Sequence, residues 1–338
     1  MNKVFVITTL FLSQLFNCYS QNQNNLSYRL EGIEFTNGSD TLRGSITLPK
    51  NRKLHKAIIF VSGDGPFKRS MYDMCLPIWN AFSEKGFACI SWDRPGVGES
   101  SGNWLSQTMF DRAKEALSAL KYLKSRNDID SSCIGVWGIS QAGWVLPIMA
   151  AEEKTAISFM IIISGAIVEK DQARYMIKSK AIADSLNLQE VPEGLIYIDS
   201  LYKLYDKGAP FKAFSKLQSK APPLIKKVYG TIDSSRYEFM KMNALKWWDS
   251  RNYLNKINCP VLAIFGDNDV NVDYKESMEV YKKSIKKSTV ILFKDADHVI
   301  LSNKTGSTME MINSLKSQNF KDGYIESMST WITSQCKK

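Results

Sequence analysis

A chain of 338 residues that is 44% hydrophobic, 11% aromatic and 23% charged has the composition of a globular protein with one large or two modest cores. That balance excludes a disordered chain, a collagen-like repeat and a small disulfide scaffold. The net charge of +10 is spread along the chain with no single basic block, so the sequence points to no nucleic-acid partner. Its two histidines, His55 and His298, exclude a multi-histidine metal site and leave two candidates for histidine chemistry.

The N-terminus reads Met1-Asn2-Lys3, the apolar run Val4–Phe16, then Asn17-Cys18-Tyr19-Ser20. A basic start, a short apolar stretch and a small residue at the exit predict a secretory signal peptide over residues 1–20. Cleavage after Ser20 removes one charge, Lys3, and lowers the net charge from +10 to +9. The expected location is therefore secreted or periplasmic. The apolar run is shorter than the roughly 20 residues of a membrane-spanning helix, so no stable membrane insertion is expected. A lipoprotein anchor at Cys18 is the rival reading, against which stands Asn17, where such sites prefer a small residue. Cys75, Cys89, Cys133, Cys259 and Cys336 then remain, an odd number without C-x-x-C spacing, so neither a zinc ribbon nor a redox motif is present. Cys89, Cys133 and Cys259 lie in or beside apolar runs and read as small buried hydrophobes. No disulfide framework follows from the sequence.

In chain order, Leu26–Phe35 and Thr41–Leu48 flank the turn signal Asn37-Gly38-Ser39-Asp40 and predict an antiparallel hairpin. Short apolar strands then alternate with helices. Strands are expected at Ala57–Val61, Phe87–Trp92, Ile134–Ile139, Ile157–Ile163, Val261–Phe265 and Val290–Phe293. Helices are expected at Leu76–Lys85, Phe110–Leu123, Gln141–Glu152, through Tyr281, and at Ile325–Ile332. Near-continuous apolar strands separated by helices predict a mostly parallel sheet covered on both faces. Between Val168 and Ser250 the alternation stops. Lys-, Tyr- and Met-rich helical segments, punctuated by Pro192, Gly208, Pro210, Pro222 and Pro223, predict a helical cap over residues 168–250, inserted between core segments 21–167 and 251–338. Such a cap would lie over the strand ends, where open α/β sheets bind ligands.

The sharpest local signal is Val136-Trp137-Gly138-Ile139-Ser140-Gln141-Ala142-Gly143, between a predicted strand and a predicted helix. A serine on so tight a turn presents its hydroxyl out of the sheet, and the turn tolerates only small residues two positions either side. Gly138 and Ala142 meet that demand. A serine nucleophile needs a base, and the base an orienting carboxylate. His298 follows the strand ending at Phe293, and Asp269 follows the strand ending at Phe265, so both project from strand carboxyl ends as Ser140 does. Asp267 is a rival for the acid. His55, in a charged lead-in, reads as a solvated loop residue, and Asp295 and Asp297 as solvent-facing. Gly96-Val97-Gly98 lacks the third glycine of a dinucleotide loop and reads as a tight bracing turn. Gly63–Ser70 lacks the ending of a P-loop. Trp247, Trp248, Tyr237 and Phe239 are candidates either for an acyl pocket or for packing within the cap.

On these residues the chain resembles the α/β-hydrolase superfamily, in particular bacterial serine hydrolases of the esterase and serine-aminopeptidase-like group. The resemblance spans roughly residues 25–335. It rests also on Val61-Ser62-Gly63-Asp64-Gly65-Pro66, on Asp93-Arg94-Pro95-Gly96-Val97-Gly98-Glu99-Ser100, and on Cys259-Pro260-Val261-Leu262 leading to Gly266 and Asp269. It implies an α/β-hydrolase fold with the chain order Ser140, Asp269, His298. It also implies an oxyanion hole from the backbone N–H of Gln141 and that of Asp64 or Gly65. Ser62 stands where many relatives carry histidine, and Ala142 where most carry glycine.

The expected activity is hydrolysis of small-molecule carboxylic esters through an acyl-enzyme, with no cofactor and no metal required. An aminopeptidase or amidase of the same fold is the alternative. It would need cap carboxylates to hold a substrate amine, for which Glu169, Asp171, Glu190 and Glu193 are available. A non-catalytic binder of an envelope ligand is a third reading, against which stand the intact nucleophile, base and acid.

Overall fold

The computed structural model describes residues 26–50, 52–152, 157–244 and 248–336. The expected leader with Cys18, and Trp247, lie outside the described residues. Among the described residues the strands are β1 (Tyr28–Asn37), β2 (Asp40–Pro49), β3 (His55–Val61), β4 (Phe87–Trp92), β5 (Ile129–Ile139), β6 (Phe159–Ile163), β7 (Val261–Gly266) and β8 (Ser288–Phe293). They form one sheet in the order β1-β2-β4-β3-β5-β6-β7-β8. The β1–β2 and β2–β4 pairs are antiparallel and the rest parallel. The hairpin closes on the Asn37–Asp40 pair, with Gly38 at φ +61°, a backbone conformation that costs glycine nothing.

The helices are α1 (Cys75–Glu84), α2 (Met109–Lys124), α3 (Ala142–Glu152), α4 (Glu169–Ala183), α5 (Val191–Asp206) and α6 (Phe211–Gln218). They continue with α7 (Pro223–Tyr229), α8 (Ser234–Ala244), α9 (Arg251–Leu254), α10 (Tyr274–Ser284), α11 (Thr308–Ser317) and α12 (Tyr324–Ile332). Alternation along the strands divides the core. In β3, Ala57, Ile59 and Val61 face the cluster built with α2, α3 and α10. Ile58 and Phe60 face the cluster built with α1 and α12. Every residue of β4, β6 and β7 is buried, which is why these strands read as unbroken apolar runs. β8 is the edge and leaves Leu292 exposed.

Helices α4 to α9 occupy the chain between β6 and β7, and α4–α8 bury an apolar cluster of their own around Tyr205, Phe214 and Tyr237. No helix among the described residues is long and apolar enough to cross a membrane. Helix α11 was not anticipated from the sequence.

Two expectations are corrected by the fold. His55 is not a solvated loop residue: it is the first residue of β3, 3% exposed, and its N–H donates to the Asp128 carbonyl at 2.8 Å. Burial pushes its imidazole pKa down, against the pull of Asp128. Cys133 is not a free buried thiol either. It is bonded to Cys336, just beyond α12, across a sequence separation of 203. Pairing between residues so distant in sequence is set by where α12 packs, against α1 and, through Trp331, against Phe159 of β6, and spacing along the chain carries no trace of it. Cys75, Cys89 and Cys259 are free; Cys89 is buried as expected, Cys75 is buried too, and Cys259, expected to be buried, is only partly so.

Candidate active site

Ser140 occupies the turn from β5 into α3 with φ +58°. A non-glycine residue held in the left-handed region is strained and must be over-determined by its surroundings. Two bonds do this: the Ser140 N–H donates to the Ile163 carbonyl at 2.9 Å, and its carbonyl accepts the Gly143 N–H at 2.8 Å. A Cβ on Gly138 would stand 2.6 Å from the Ala142 Cβ, so the demand for a small residue is met once, at Gly138, and Ala142 takes the room that is left.

Asp269 follows β7 and is 1% exposed. Its Oδ1 accepts the N–H groups of Asn271 (2.8 Å) and Val272 (2.9 Å), and its Oδ2 meets His298 Nδ1 at 2.8 Å. The histidine loop lies against the end of β7 because Gly266 has no side chain: a Cβ there would meet the Ala296 carbonyl oxygen at 2.3 Å. Burial alone would lower the His298 pKa. The charge and hydrogen bond of Asp269 and the charge of Asp297 outweigh burial and the opposing charge of Lys180, and hold it above the ordinary histidine value. Asp267 does not reach the histidine by any hydrogen bond among the described residues. Asp297, expected at the surface, is 2% exposed. Its Oδ1 accepts the N–H groups of Val299 and Leu301, each at 3.0 Å, and so shapes the loop that presents His298.

Ser140, Gln141, His298, Gly63 and Asp64 line one cavity of about 620 Å³. Among the described residues no hydrogen bond joins Ser140 Oγ to His298. Such contacts are often long before a substrate draws them together. The loop after β3 lies against the serine, since a Cβ on Gly63 would stand 3.2 Å from Ser140 Cβ. The N–H groups of Asp64 and Gln141 make no hydrogen bond to another described residue. Gly96 and Gly98 take positive φ in the tight turn expected of them, and the carboxylate of Asp93 accepts the Glu99 N–H and the Arg69 guanidinium beside it.

The far wall of the cavity comes from the inserted helices. Of the aromatic candidates, Phe239 and Trp248 line it. Tyr237 is instead buried in the separate cluster, stacked on Phe214 at 4.7 Å between ring centroids. Of the carboxylates considered for amine binding, Glu169 lines the cavity. It accepts a hydrogen bond from the Tyr202 hydroxyl. Burial, helped by the charge of Asp64 and opposed by Tyr202 and Arg236, pushes its pKa up to about 7. Arg236 of α8 grips the Asp64 carboxylate with both terminal nitrogens, Nη1 to Oδ1 at 3.0 Å. Sequence reasoning missed Arg236, and also Arg112, whose guanidinium donates to the Ser62 carbonyl and to Gln141 Oε1. For Arg112 a signal existed: it falls on the stripe of α2 that carries the buried Met109, Ala113, Ala116 and Leu120.

A parallel sheet with an antiparallel start, helices on both faces and a serine turn beside a carboxylate–histidine pair define an α/β-hydrolase. Residues 17–300 match the profile of X-Pro dipeptidyl-peptidase (S15 family), and the chain belongs to that family of esterase- and peptidase-type hydrolases. Esterase EstD of Thermotoga maritima is 24% identical over 301 residues, covering 86% of this chain and 65% of that protein. Est1E of Butyrivibrio proteoclasticus, solved with ferulic acid bound, aligns with a TM-score of 0.55 at 17% identity, covering 89% of this chain and 96% of that one. Proline iminopeptidase of Mycobacterium smegmatis aligns with a TM-score of 0.59 at 15% identity, covering 90% and 98%. At these identities the solved structures speak to the fold alone.

Proposed function

We propose that the protein is an exported serine hydrolase that cleaves carboxylic esters through an acyl-enzyme. Ser140 Oγ attacks the carbonyl carbon while His298 Nε2 takes its proton, and Asp269 holds the imidazole in the tautomer with hydrogen on Nδ1. The oxyanion is received by the N–H groups of Gln141 and Asp64. Collapse expels the alcohol, which leaves with the proton returned by His298. Water then repeats the sequence on the acyl-serine and releases the acid.

The observation that carries this reading is the 2.8 Å His298–Asp269 hydrogen bond opening on the cavity that Ser140 shares. The Cys133–Cys336 bridge supports export, because disulfides persist in oxidising compartments. The deciding experiment is Ser140→Ala. Turnover of aryl esters should fall on the order of 10⁶-fold, and covalent labelling by a fluorophosphonate should vanish. Ester hydrolysis surviving the substitution ends the proposal.

One observation favours a second reading, release of amino-terminal residues. Asp64, Glu169 and Asp233 place three carboxylates on the cavity wall beside one arginine, Arg236, which is paired with Asp64. A substrate amine would find a partner in Glu169. Aminoacyl amides cleaved faster than matched esters, with a rise in KM in Glu169→Gln confined to the amine-bearing series, decide for it. An unchanged KM in that variant decides for simple ester hydrolysis.

A further inference from the structure

The loop that would receive the oxyanion is held by three arginines from three different parts of the chain. Arg112 of α2 donates Nη2 to the Ser62 carbonyl at 2.6 Å. Arg236 of α8 grips the Asp64 carboxylate. Arg94, after β4, donates Nη1 to the Gly65 carbonyl at 3.0 Å and Nη2 to Gln107 Oε1 at 3.1 Å. Arg94 and Arg236 also lie over the ring of Trp104, at 5.0 and 5.6 Å from its centroid. Residues 62, 64 and 65 are thus each tied down separately.

Arg112 stands apart from the other two. Its second terminal nitrogen, Nη1, donates to Gln141 Oε1. One rigid guanidinium therefore spans the loop after β3 and the residue that follows the serine, the two segments whose N–H groups would form the oxyanion hole. The side chain is 3% exposed and makes no ion pair among the described residues. Both of its acceptors are neutral, and its Nε has no partner. Burial, reinforced by the charge of Arg94 and opposed by the more distant charges of Glu115 and Asp64, pulls its pKa down to about 9, which leaves it a cation at neutral pH. A buried charge without a counter-ion in contact is costly and is poor evidence of a stabilising role. Leucine or methionine would fill this stripe of α2 at lower cost. The helix is secured elsewhere: Thr108 and Asp111 form a reciprocal capping box, and the apolar stripe of α2 packs on the sheet.

We infer that Arg112 is a positioning residue for the oxyanion hole, setting the separation of the Gln141 and Asp64 N–H groups through Ser62 and the Gln141 side chain. The inference rests on the serine-hydrolase reading above and adds to it a residue that touches no substrate. Its planar fork matters because the two acceptors must be held at once. A lysine supplies charge but a single donor point.

The test uses the full-length chain and an aryl ester, with Arg112→Met and Arg112→Lys. Misplacing catalytic groups by about 1 Å costs on the order of 10²-fold in rate, so kcat should fall about 10- to 100-fold in Arg112→Met with KM within about twofold. Affinity for a trifluoromethyl ketone, which forms the tetrahedral oxyanion on the serine, should fall by the same factor. Arg112→Lys should recover only part of the loss. A merely structural role predicts a lowered melting temperature with kcat and ketone affinity unchanged among the molecules that remain folded, and that result overturns the inference. Should Arg112→Met not fold, Gln141→Ala removes only one end of the bridge and keeps its backbone N–H. It should lower kcat and ketone affinity in parallel, and wild-type values for both would likewise overturn the inference. Mass-spectrometric location of a fluorophosphonate on Ser140 in the wild type tests the serine-hydrolase reading separately. With that adduct found, a wild-type kcat in Arg112→Met refutes the positioning role alone.

Discussion

Reduction of the Cys133–Cys336 bridge is a demanding test of how the C-terminus is held. The two cysteines are 203 positions apart, with Cα atoms 5.8 Å from each other. In the chain-entropy account, cross-linking a loop of that length removes about 5 kcal/mol of freedom from the unfolded state. The folded state keeps its own grip on this end. Tyr324, Met328 and Ile332 of α12 are buried, and Lys56 Nζ donates to the Cys336 carbonyl at 2.9 Å. The protein should therefore remain folded when reduced, but less stable by about 3–5 kcal/mol, toward the upper end of the usual disulfide range. For a chain of this size that is a fall in Tm of roughly 4–7 °C. Guanidinium denaturation followed by tryptophan fluorescence, with and without reductant, measures the change. Cys133→Ala, Cys336→Ala and the double variant should each show the reduced midpoint and no further response to reductant. A thiol count in denaturant that rises by two on reduction, with the midpoint unmoved, would refute the argument from loop length. A count that does not rise would refute the bridge itself.

Because Asp269 and Asp297 hold the His298 pKa above the ordinary histidine value, and the base must be neutral to act, the acid limb of kcat/KM should have its midpoint above about 6.5. Asp269→Asn should move that limb downward and lower kcat on the order of 10⁴-fold; a limb that stays in place shows that the pair does not set it. The same raised pKa contributes stability below the unfolded histidine value, and this is lost as pH rises through the folded value. Gly138→Ala should destabilise by about 1–3 kcal/mol through overpacking, since the new methyl would stand 2.6 Å from Ala142 Cβ and 2.8 Å from Leu146 Cδ1. Adding Ala142→Gly should restore part of the loss in thermal melts, and no recovery would show that Ala142 is not the obstacle.

Much of the scaffold was legible from local pattern. β4, β6 and β7 are buried on both faces and so appear in the sequence as uninterrupted apolar runs, whereas the half-exposed edge strand β8 carries a weaker mark. The Ser140 turn announced itself because its geometry admits only small neighbours, and His298 because the chain offers just one other histidine. These are properties of a few consecutive residues or of a count, and no folding is needed to read them.

Tertiary structure decided the rest. That His298 bonds Asp269 and not Asp267 depends on which carboxylate the histidine loop meets when Gly266 lets it settle on β7. His55 and Asp297 lie in polar stretches of sequence, yet strand pairing buries the first and loop N–H groups claim the second. Cys133 finds Cys336, Asp64 finds Arg236 across 172 positions, and Ser62 finds Arg112 across 50. Contacts of that kind are fixed by the order of strands in the sheet and by where the inserted helices come to rest. Composition and periodicity constrain each segment by itself and carry no record of which distant segment becomes its neighbour.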